Sequence, residues 1–251
     1  MLFNSPSETA RSVSNREENK LLASLPVDEY ERLISQMRTV PAHVRQVMHK
    51  QDEPIEDVLF PRGGALSLTK TLQDGHVAEV ATIGSEGAAG AGVFFGQALA
   101  DCDVMVQLPG TGVLAMSADV FKAEMERRGA FYNRVVRYNQ ALMSQIMQAT
   151  VCNGLHSAEQ RCCRWLLTTR DRAGSDEFPM THEYLATMLG VRRPTVTLVA
   201  AHLQQSGLIQ CRRGAVTIMD REKLEAASCE CYDAVKNLMR RLLPEVQVSL
   251  S

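Results

Sequence analysis

Two pairs of arginines, Arg192-Arg193 and Arg212-Arg213, are the residues of this chain best suited to contacting a nucleic acid. An arginine side chain can donate two hydrogen bonds to O6 and N7 of a guanine in the major groove, and it binds phosphate groups in the same bidentate manner. Other polar residues lie before or after the first pair and suit contacts with phosphates or base edges. They are Thr181, His182, Thr195 and Thr197.

These side chains are predicted to lie on two short helices and a hairpin. Thr181 is a suitable N-cap for the helix HEYLATML, and Gly190 is predicted to end it. A short link leads to the helix PTVTLVAAHLQQS, where Pro194 falls in the first turn and is tolerated. The strands LIQCR and AVTIMD then flank Arg213-Gly214 as a tight hairpin. The order of elements over residues 156–225 is typical of a winged helix-turn-helix.

The outer face of the second helix is predicted to face DNA. That face carries Arg192, Arg193, Thr195, Thr197 and His202. The predicted shared core of the two helices consists of Leu185, Leu189, Val191, Val199 and Leu203. Arg193 stands at the end of the helix that enters the major groove, so we expect it to read a base, whereas Arg212 and Arg213 at the hairpin tip suit phosphates. The alternative is a helical hairpin with a solvated basic face.

A long helix is predicted before this module, in residues 128–155. Phe131 to Cys152 contain neither glycine nor proline, and Gly154 is the predicted stop. Six residues recur at alternating spacings of three and four, as in a coiled-coil seam: Val135, Tyr138, Leu142, Gln145, Ala149 and Cys152. They predict a homodimer interface. The alternative is a helix that packs on its own domain.

Short β-forming runs fill most of residues 38–120. The runs are VRQVMHK, EDVLFPR, ALSLTKTL, HVAEVATIG, DVMVQLPG and GVLAMS, and turn signals such as Asp74-Gly75 separate them. They predict an antiparallel roll within a domain over residues 20–127, in which the Gly- and Ala-rich segment 84–100 forms a loop and a short helix. Residues 1–19 are predicted to be a disordered tail, and residues 226–251 a C-terminal helical tail.

Composition limits the class of protein. The chain has 251 residues, a net charge of −2 and 45% hydrophobic residues, which is enough apolar material for sizeable cores. No run approaches the ~18 apolar residues that a membrane-spanning helix needs. The polar first residues lack the apolar region of a secretory signal, so we expect a cytoplasmic protein without a membrane partner.

The seven cysteines are expected to be free thiols. Cys162 and Cys163 are adjacent, and Cys229 and Cys231 form a C-x-C pair that points apart if the segment is helical. Neither pair has the C-x-x-C spacing of a metal knuckle, so incidental buried thiols are favoured over a metal or redox site. The sequence predicts no metal and no cofactor.

An enzyme is the first rival class, because a β-roll can also hold a metal as cupins do. Such sites need clustered ligands, whereas His43, His49 and His76 are isolated along the chain. No nucleophile elbow or phosphate-binding loop is present. The sequence therefore predicts a protein that is not an enzyme. A second rival is an interaction protein whose DNA module is inactive, which the four arginines oppose.

The stretch MTHEYLATMLGVRRPTVTLVAAHLQQSGLIQCRRGAVTIMD resembles the Crp/Fnr family of bacterial transcription regulators. The preceding roll and long helix match that family's order, and PRGGALSL resembles a turn in its roll. The likeness covers roughly residues 20–225. It implies an α+β fold with an N-terminal antiparallel β-roll (a double-stranded β-helix), a dimerisation helix and a C-terminal winged helix-turn-helix. It also implies a homodimer on a two-fold site in double-stranded DNA, with RNA polymerase as a further partner.

Departures from the family pattern change what we expect of the effector and of the DNA site. Members that bind cyclic nucleotides have Gly-Glu-Leu followed by an arginine that holds the phosphate. Here Glu86 is present, but Asp101 and Asp103 stand where the arginine is needed, so cyclic nucleotides are not expected to bind and the effector stays open. Pro194 replaces the acidic residue that often follows the family's base-reading arginine, so the operator is expected to differ. Residues 1–101 lack the cysteines of the iron–sulfur members.

Overall fold

The structure is a computed structural model that describes residues 19–244. The predicted tail over residues 1–19 lies outside this range except for Asn19, as do residues 245–251 of the predicted C-terminal tail. Asn19 is buried, and its side chain caps the first helix and donates to the carbonyl oxygens of Pro61 (2.9 Å) and Gly87 (3.1 Å). This residue therefore belongs to the folded domain and not to a tail.

The N-terminal part of the described chain is built mainly of short strands. Its elements are α1 (Lys20–Ala23), α2 (Val27–Ile34), β1 (Arg38–Val40), β2 (Val47–His49), β3 (Asp57–Pro61), β4 (Ala65–Thr71), β5 (Val77–Ile83), a 3-10 helix (Ala91–Phe95), β6 (Asp103–Leu108), β7 (Val113–Ser117) and α3 (Ala118–Glu126). The six predicted strands and the short helix in segment 84–100 are confirmed. Strand β1 was not predicted.

The strands form two antiparallel sheets with the orders β1-β7-β3 and β2-β6-β4-β5. The hairpin between β4 and β5 turns at Asp74-Gly75, where Gly75 has φ +84°, a conformation that glycine adopts without strain. Side chains from both sheets share one core that includes Phe60, Leu66 and Val106. This arrangement is the predicted β-roll.

The remaining elements are mostly helical. They are α4 (Ala130–Leu155), α5 (Ala158–Ala173), β8 (Glu177–Pro179), α6 (His182–Leu189), α7 (Arg193–Gln205), β9 (Ile209–Arg212), β10 (Ala215–Ile218), α8 (Arg221–Ala227) and α9 (Cys231–Leu242). The predicted order of helix, helix, helix and hairpin is confirmed. The short strand β8 adds a third member to the hairpin sheet, in the order β8-β10-β9. Gly154 does not stop α4, which continues to Leu155.

One face of α4 packs against its own roll. Tyr138 is fully buried, and it lies so close to Gly87 that a Cβ at that position would be 2.1 Å from the ring. Val135, Gln145 and Cys152 are buried on the same side. No surface of these four residues is left for a second chain, so the prediction that they form a dimer seam is wrong. The three-and-four spacing reflects packing within the chain.

Several buried polar contacts join the roll to α5, and two of them involve an acidic residue of the roll. Arg172 pairs with Glu86 at 2.8 Å, and each side chain is only 8% exposed. Burial opposes the charge of Glu86, but Arg172 and the backbone N–H of Gly84 hold its pKa below the ordinary value. The indole N–H of Trp165 donates to Glu79 at 3.1 Å. Burial raises the pKa of Glu79 to about 7, against the lowering effect of its hydrogen bond with Ser67.

Replacing Arg172 with methionine is expected to lower the free energy of unfolding by about 3–5 kcal/mol, because Glu86 then remains buried without its partner. Arg127→Met is the matched control, since Arg127 is 58% exposed and Glu124 keeps its pair with Arg32 at 3.1 Å, so the expected loss is about 1 kcal/mol or less. Denaturant unfolding of both variants measures the difference. Equal midpoints for the two variants would contradict the assignment.

Candidate nucleic-acid interface

Helix α6 is fixed by signals at both of its ends. The hydroxyl of Thr181 accepts a hydrogen bond from the backbone N–H of Tyr184 at 3.1 Å, as predicted for an N-cap. Gly190 ends the helix with φ +60°, and a Cβ there would lie 3.2 Å from the Cβ of Ala78 in β5. The turn between α6 and α7 therefore needs glycine for its conformation, and it lies close against the roll.

Helices α6 and α7 share the predicted core. Leu185, Leu189 and Leu203 are buried, together with Ala186 and Val196 where the helices cross. Val191 and Val199 are half-buried at the edge of the same cluster. This packing decides which side of α7 faces solvent.

The solvent side of α7 begins with two arginines. Arg192 is the N-cap and Arg193 the first helical residue, and both are exposed. No acidic residue lies in the first turn, so the positive end of the helix dipole and the arginine charges have the same sign. Arg193 contacts Glu183 at 3.7 Å, and both side chains are more than 60% exposed. Such a pair is weak in water, which leaves Arg193 able to bind another acceptor.

Threonine and histidine side chains join the two helices at this surface. His182 Nδ1 lies 3.2 Å from Thr197 Oγ1, and Thr197 also donates to the carbonyl oxygen of Arg193. Thr195 is half-buried. His202 is exposed, as predicted, and its Nδ1 lies 2.8 Å from Glu159 of α5. The structure thus brings His182, Thr197 and Arg193 together.

The hairpin places its arginines next to the start of α6. Arg212 ends β9, and Arg213 and Gly214 form the turn with φ +45° and +82°, the backbone of a type I′ hairpin. Both arginines are exposed. A Cβ at Gly214 would lie 3.8 Å from Thr181, so the turn lies beside the N-terminus of α6.

Two residues of this surface were missed by the sequence analysis. Arg45, exposed in the roll, donates to Thr181 Oγ1 at 3.2 Å and lies 5.2 Å from the ring centre of Tyr184. No local signal links it to a helix so distant in the sequence. Leu198 of α7 is 74% exposed, although its apolar character suggested no surface role. Thr181 itself is already occupied as a helix cap and as the acceptor for Arg45.

The outer face of α4 carries a different kind of surface. Its exposed apolar residues are spaced by four and are between 50% and 78% exposed: Met143, Met147, Val151 and Leu155. We call these four residues the outer row. Of the predicted dimer residues, Leu142 and Ala149 are half-buried beside the roll or α5. A row of this kind is what an uncovered helix interface looks like.

The roll contains a cavity of about 390 Å³ beneath α4. Apolar residues and glycines form most of its wall, and Lys70, His49 and Asp101 add polar groups. Lys70 donates to the carbonyl oxygen of Asp101. Among the described residues that line this cavity there is no arginine. Burial lowers the pKa of His49, which disfavours a charged imidazole there.

Comparisons with known proteins agree with this organisation. A family model for the Crp-like helix-turn-helix domain matches residues 160–227. No curated protein matches the chain. None of the helices in residues 19–244 combines the length and the hydropathy of a membrane span.

Solved structures share the fold over most of the chain. One, assigned to the Crp/Fnr family of transcriptional regulators, is from Eubacterium rectale; it is 19% identical with a TM-score of 0.62, covering 82% of this chain and 96% of its own. A CRP-family regulator from Thermus thermophilus is 18% identical with a TM-score of 0.62, covering 76% and 96%. The c-di-GMP responsive regulator CLP of Xanthomonas campestris is 16% identical with a TM-score of 0.61, covering 78% and 100%.

The family model identifies the DNA-binding module, and the structural matches identify the architecture around it. At these identities the structural matches establish the fold. The chain therefore carries a Crp-like helix-turn-helix domain at residues 160–227 and has the fold of the Crp/Fnr-type transcription regulators.

Proposed function

We propose that this protein regulates transcription by binding a two-fold DNA site as a homodimer, with α7 in the major groove and the β9–β10 hairpin on the backbone. The observation that carries the proposal is the exposed surface on which Arg193 begins α7 and Arg212 and Arg213 form the hairpin tip. RNA polymerase as a further partner and a cytoplasmic location follow from the same proposal, since the similar proteins are named as transcription regulators.

Base reading is assigned to the start of α7. Arg193 is exposed, and its only described ion pair is the weak contact with Glu183, so it can donate to a guanine. Leu198, five residues further along the helix and 74% exposed, offers an apolar contact for a thymine methyl group. Pro194 cannot accept a hydrogen bond from cytosine, so the preferred site differs from one read by an arginine and an acid.

Phosphate binding is assigned to the residues around the start of α6. Arg212 and Arg213 lie at the hairpin tip, and Arg45 reaches the same place from the roll. Thr181 positions Arg45 through its hydroxyl group, which it also uses as a helix cap. Arg192, Thr195 and His182 complete the surface as secondary contacts.

The dimer is assigned to the outer row of α4, which replaces the seam predicted from the sequence. Val136 and Ile146 flank this row and are half-buried, which widens the apolar face. Two copies of one helix face make a symmetric contact, and such a contact matches a DNA site with two half-sites.

The enzyme alternative is not favoured. A metal-dependent enzyme in the roll needs several ligands that converge, and within residues 19–244 the only group of three or more potential ligands lies outside the roll. His43 and His76 are exposed on its surface. We therefore assign the roll a sensing or structural role and no catalytic activity.

Arg193→Ala is expected to relax the preference at one base pair in each half-site, because a bidentate arginine–guanine contact contributes about 1–3 kcal/mol of discrimination. Arg212→Ala is expected to lower the affinity for all DNA sequences by the same factor. It is also expected to reduce the slope of log affinity against log salt concentration by about 1 per lost phosphate contact. The measurement is binding to an operator selected from random duplexes and to scrambled DNA over a range of salt concentrations.

Arg241→Ala is the control for these variants, because it removes the same charge from α9, outside the proposed surface. Its binding should equal that of the original protein. If Arg193→Ala lowers the affinities for operator and scrambled DNA by the same factor, Arg193 does not read a base and Thr195 or Thr197 becomes the better candidate.

Met147→Asp is expected to convert the dimer to a monomer, because it places a charge in each half of an apolar contact. Asn153→Asp adds the same charge to α4 outside the outer row and keeps an acceptor for Arg161, so it should remain dimeric. Sedimentation at micromolar concentration measures both variants. A monomeric original protein, or a dimeric Met147→Asp variant, would refute the assigned interface.

Cyclic AMP and cyclic GMP are expected not to bind the roll. Among the described lining residues the cavity offers Lys70 as a cationic side chain, burial disfavours the charged form of His49, and Asp101 lines the same cavity. Carboxylates near a bound phosphate repel it. Titration calorimetry with each nucleotide tests this, and a micromolar complex would be inconsistent with it.

A further inference from the structure

Four potential metal ligands converge where α4 ends and α9 begins. Cys152 and His156 are one helical turn apart, which places them on the same side of the chain. Cys229 and Cys231 approach from the segment before α9 and from its first residue. One ligand atom from each of the four residues lies within 4.8 Å of all the others.

The separations fit the edges of a tetrahedron around one zinc ion. Zn–S bonds of about 2.3 Å and Zn–N bonds of about 2.1 Å give edges of about 3.8 Å between sulfurs and about 3.6 Å between sulfur and nitrogen. Cys152 Sγ and Cys229 Sγ are 3.5 Å apart, and Cys231 Sγ is 3.5 Å from His156 Nδ1. These two separations are within a few tenths of an ångström of the tetrahedral edges, and the remaining pairs lie within 4.8 Å.

The groups around these residues support the same interpretation. His156 Nε2 lies 3.2 Å from a carboxylate oxygen of Glu230, so Nδ1 is the nitrogen directed at the cysteines. A histidine that ligates a metal typically donates its other N–H to such a carboxylate. The amide of Gln148 donates to Cys231 Sγ at 3.0 Å. Incidental buried thiols would need neither the oriented imidazole nor its acidic partner.

We propose that Cys152, His156, Cys229 and Cys231 bind one Zn²⁺ ion in each chain. Three thiolates and one imidazole in tetrahedral geometry are a typical zinc ligand set, and a multi-iron cluster would hold its ligands farther apart. The three cysteines are buried and the His156 side chain is 15% exposed. All four positions of the ion are filled by protein, so the site is structural and not catalytic.

The sequence prediction of no metal is revised by this proposal. It assumed that Cys229 and Cys231 share a helix and therefore point apart. In the structure α9 begins only at Cys231, and Cys229 lies in the preceding turn, so both thiols face Cys152. The proposed ion joins the end of α4, which precedes the DNA-binding domain in the chain, to the start of α9, which follows it. It does not depend on whether the chain binds DNA.

The test uses the full chain, produced without a polyhistidine tag and purified under reducing conditions. Elemental analysis is expected to find one zinc per chain, and Co²⁺ exchanged into the site is expected to give the absorption of a tetrahedral thiolate complex. Cys229→Ser and His156→Ala should lose the metal. His156→Cys should retain it with an altered Co²⁺ spectrum. Cys102→Ser, which changes a cysteine outside the cluster, should retain it unchanged.

Chelation provides a readout on the original chain, in case a variant does not fold. Removal of the ion should lower the melting temperature, and stoichiometric Zn²⁺ should restore it. A folded, reduced chain that holds no zinc and does not respond to added Zn²⁺ overturns the proposal. A Cys152–Cys229 disulfide in the reduced preparation, seen by mass spectrometry, overturns it as well.

Discussion

The buried pair between Arg172 and Glu86 is the contact on which the position of the DNA-binding domain depends. Arg172 belongs to α5 and Glu86 to the loop after β5, so the pair joins the roll directly to the first helix of that domain. A buried pair adds little net stability compared with apolar packing, but an unpaired charge is costly. A packing of α5 that separated Arg172 from Glu86 would leave both charges without this partner. The pair thus mainly determines how α5 is oriented on the roll, and the hydrogen bond from Trp165 to Glu79 is a second contact that holds this orientation.

Helix α4 has two apolar faces, one buried and one exposed, and a sequence pattern cannot distinguish them. Its inner face, with Val135 and Tyr138, is buried by its own roll, and its outer row stays apolar and exposed. A spacing of three and four residues establishes that a helix has an apolar face, but it does not say what covers that face. Gly87 determines which face of α4 packs on the roll, because only a residue without a side chain lets Tyr138 approach the roll so closely.

Features set by neighbouring residues could be predicted from the sequence. Thr181 and Gly190 bound α6, and Arg213-Gly214 turns the hairpin, because caps and turns depend on local backbone chemistry. Features that depend on distant segments could not be predicted. Arg45 meets Thr181 across 136 positions, and Cys152 meets Cys229 across 77. Their convergence follows from how the domains pack, and no local signal encodes it.

The proposed zinc ion and the DNA-binding domain are connected through α4. Ligation at Cys152 and Cys229 closes a loop of 77 positions that contains α5 to α8. Closing so long a loop removes much of the freedom of the unfolded chain, so the ion stabilises the folded arrangement even without contacting the domain interior. Two of the four proposed ligands, Cys152 in the last turn of α4 and His156 at its C-cap, follow Val151 and Leu155 of the outer row directly in the sequence. The end of the helix that carries the proposed dimer contact is therefore also the end next to the DNA-binding domain. In the proposed dimer, rigidity there would fix the separation of the two α7 helices.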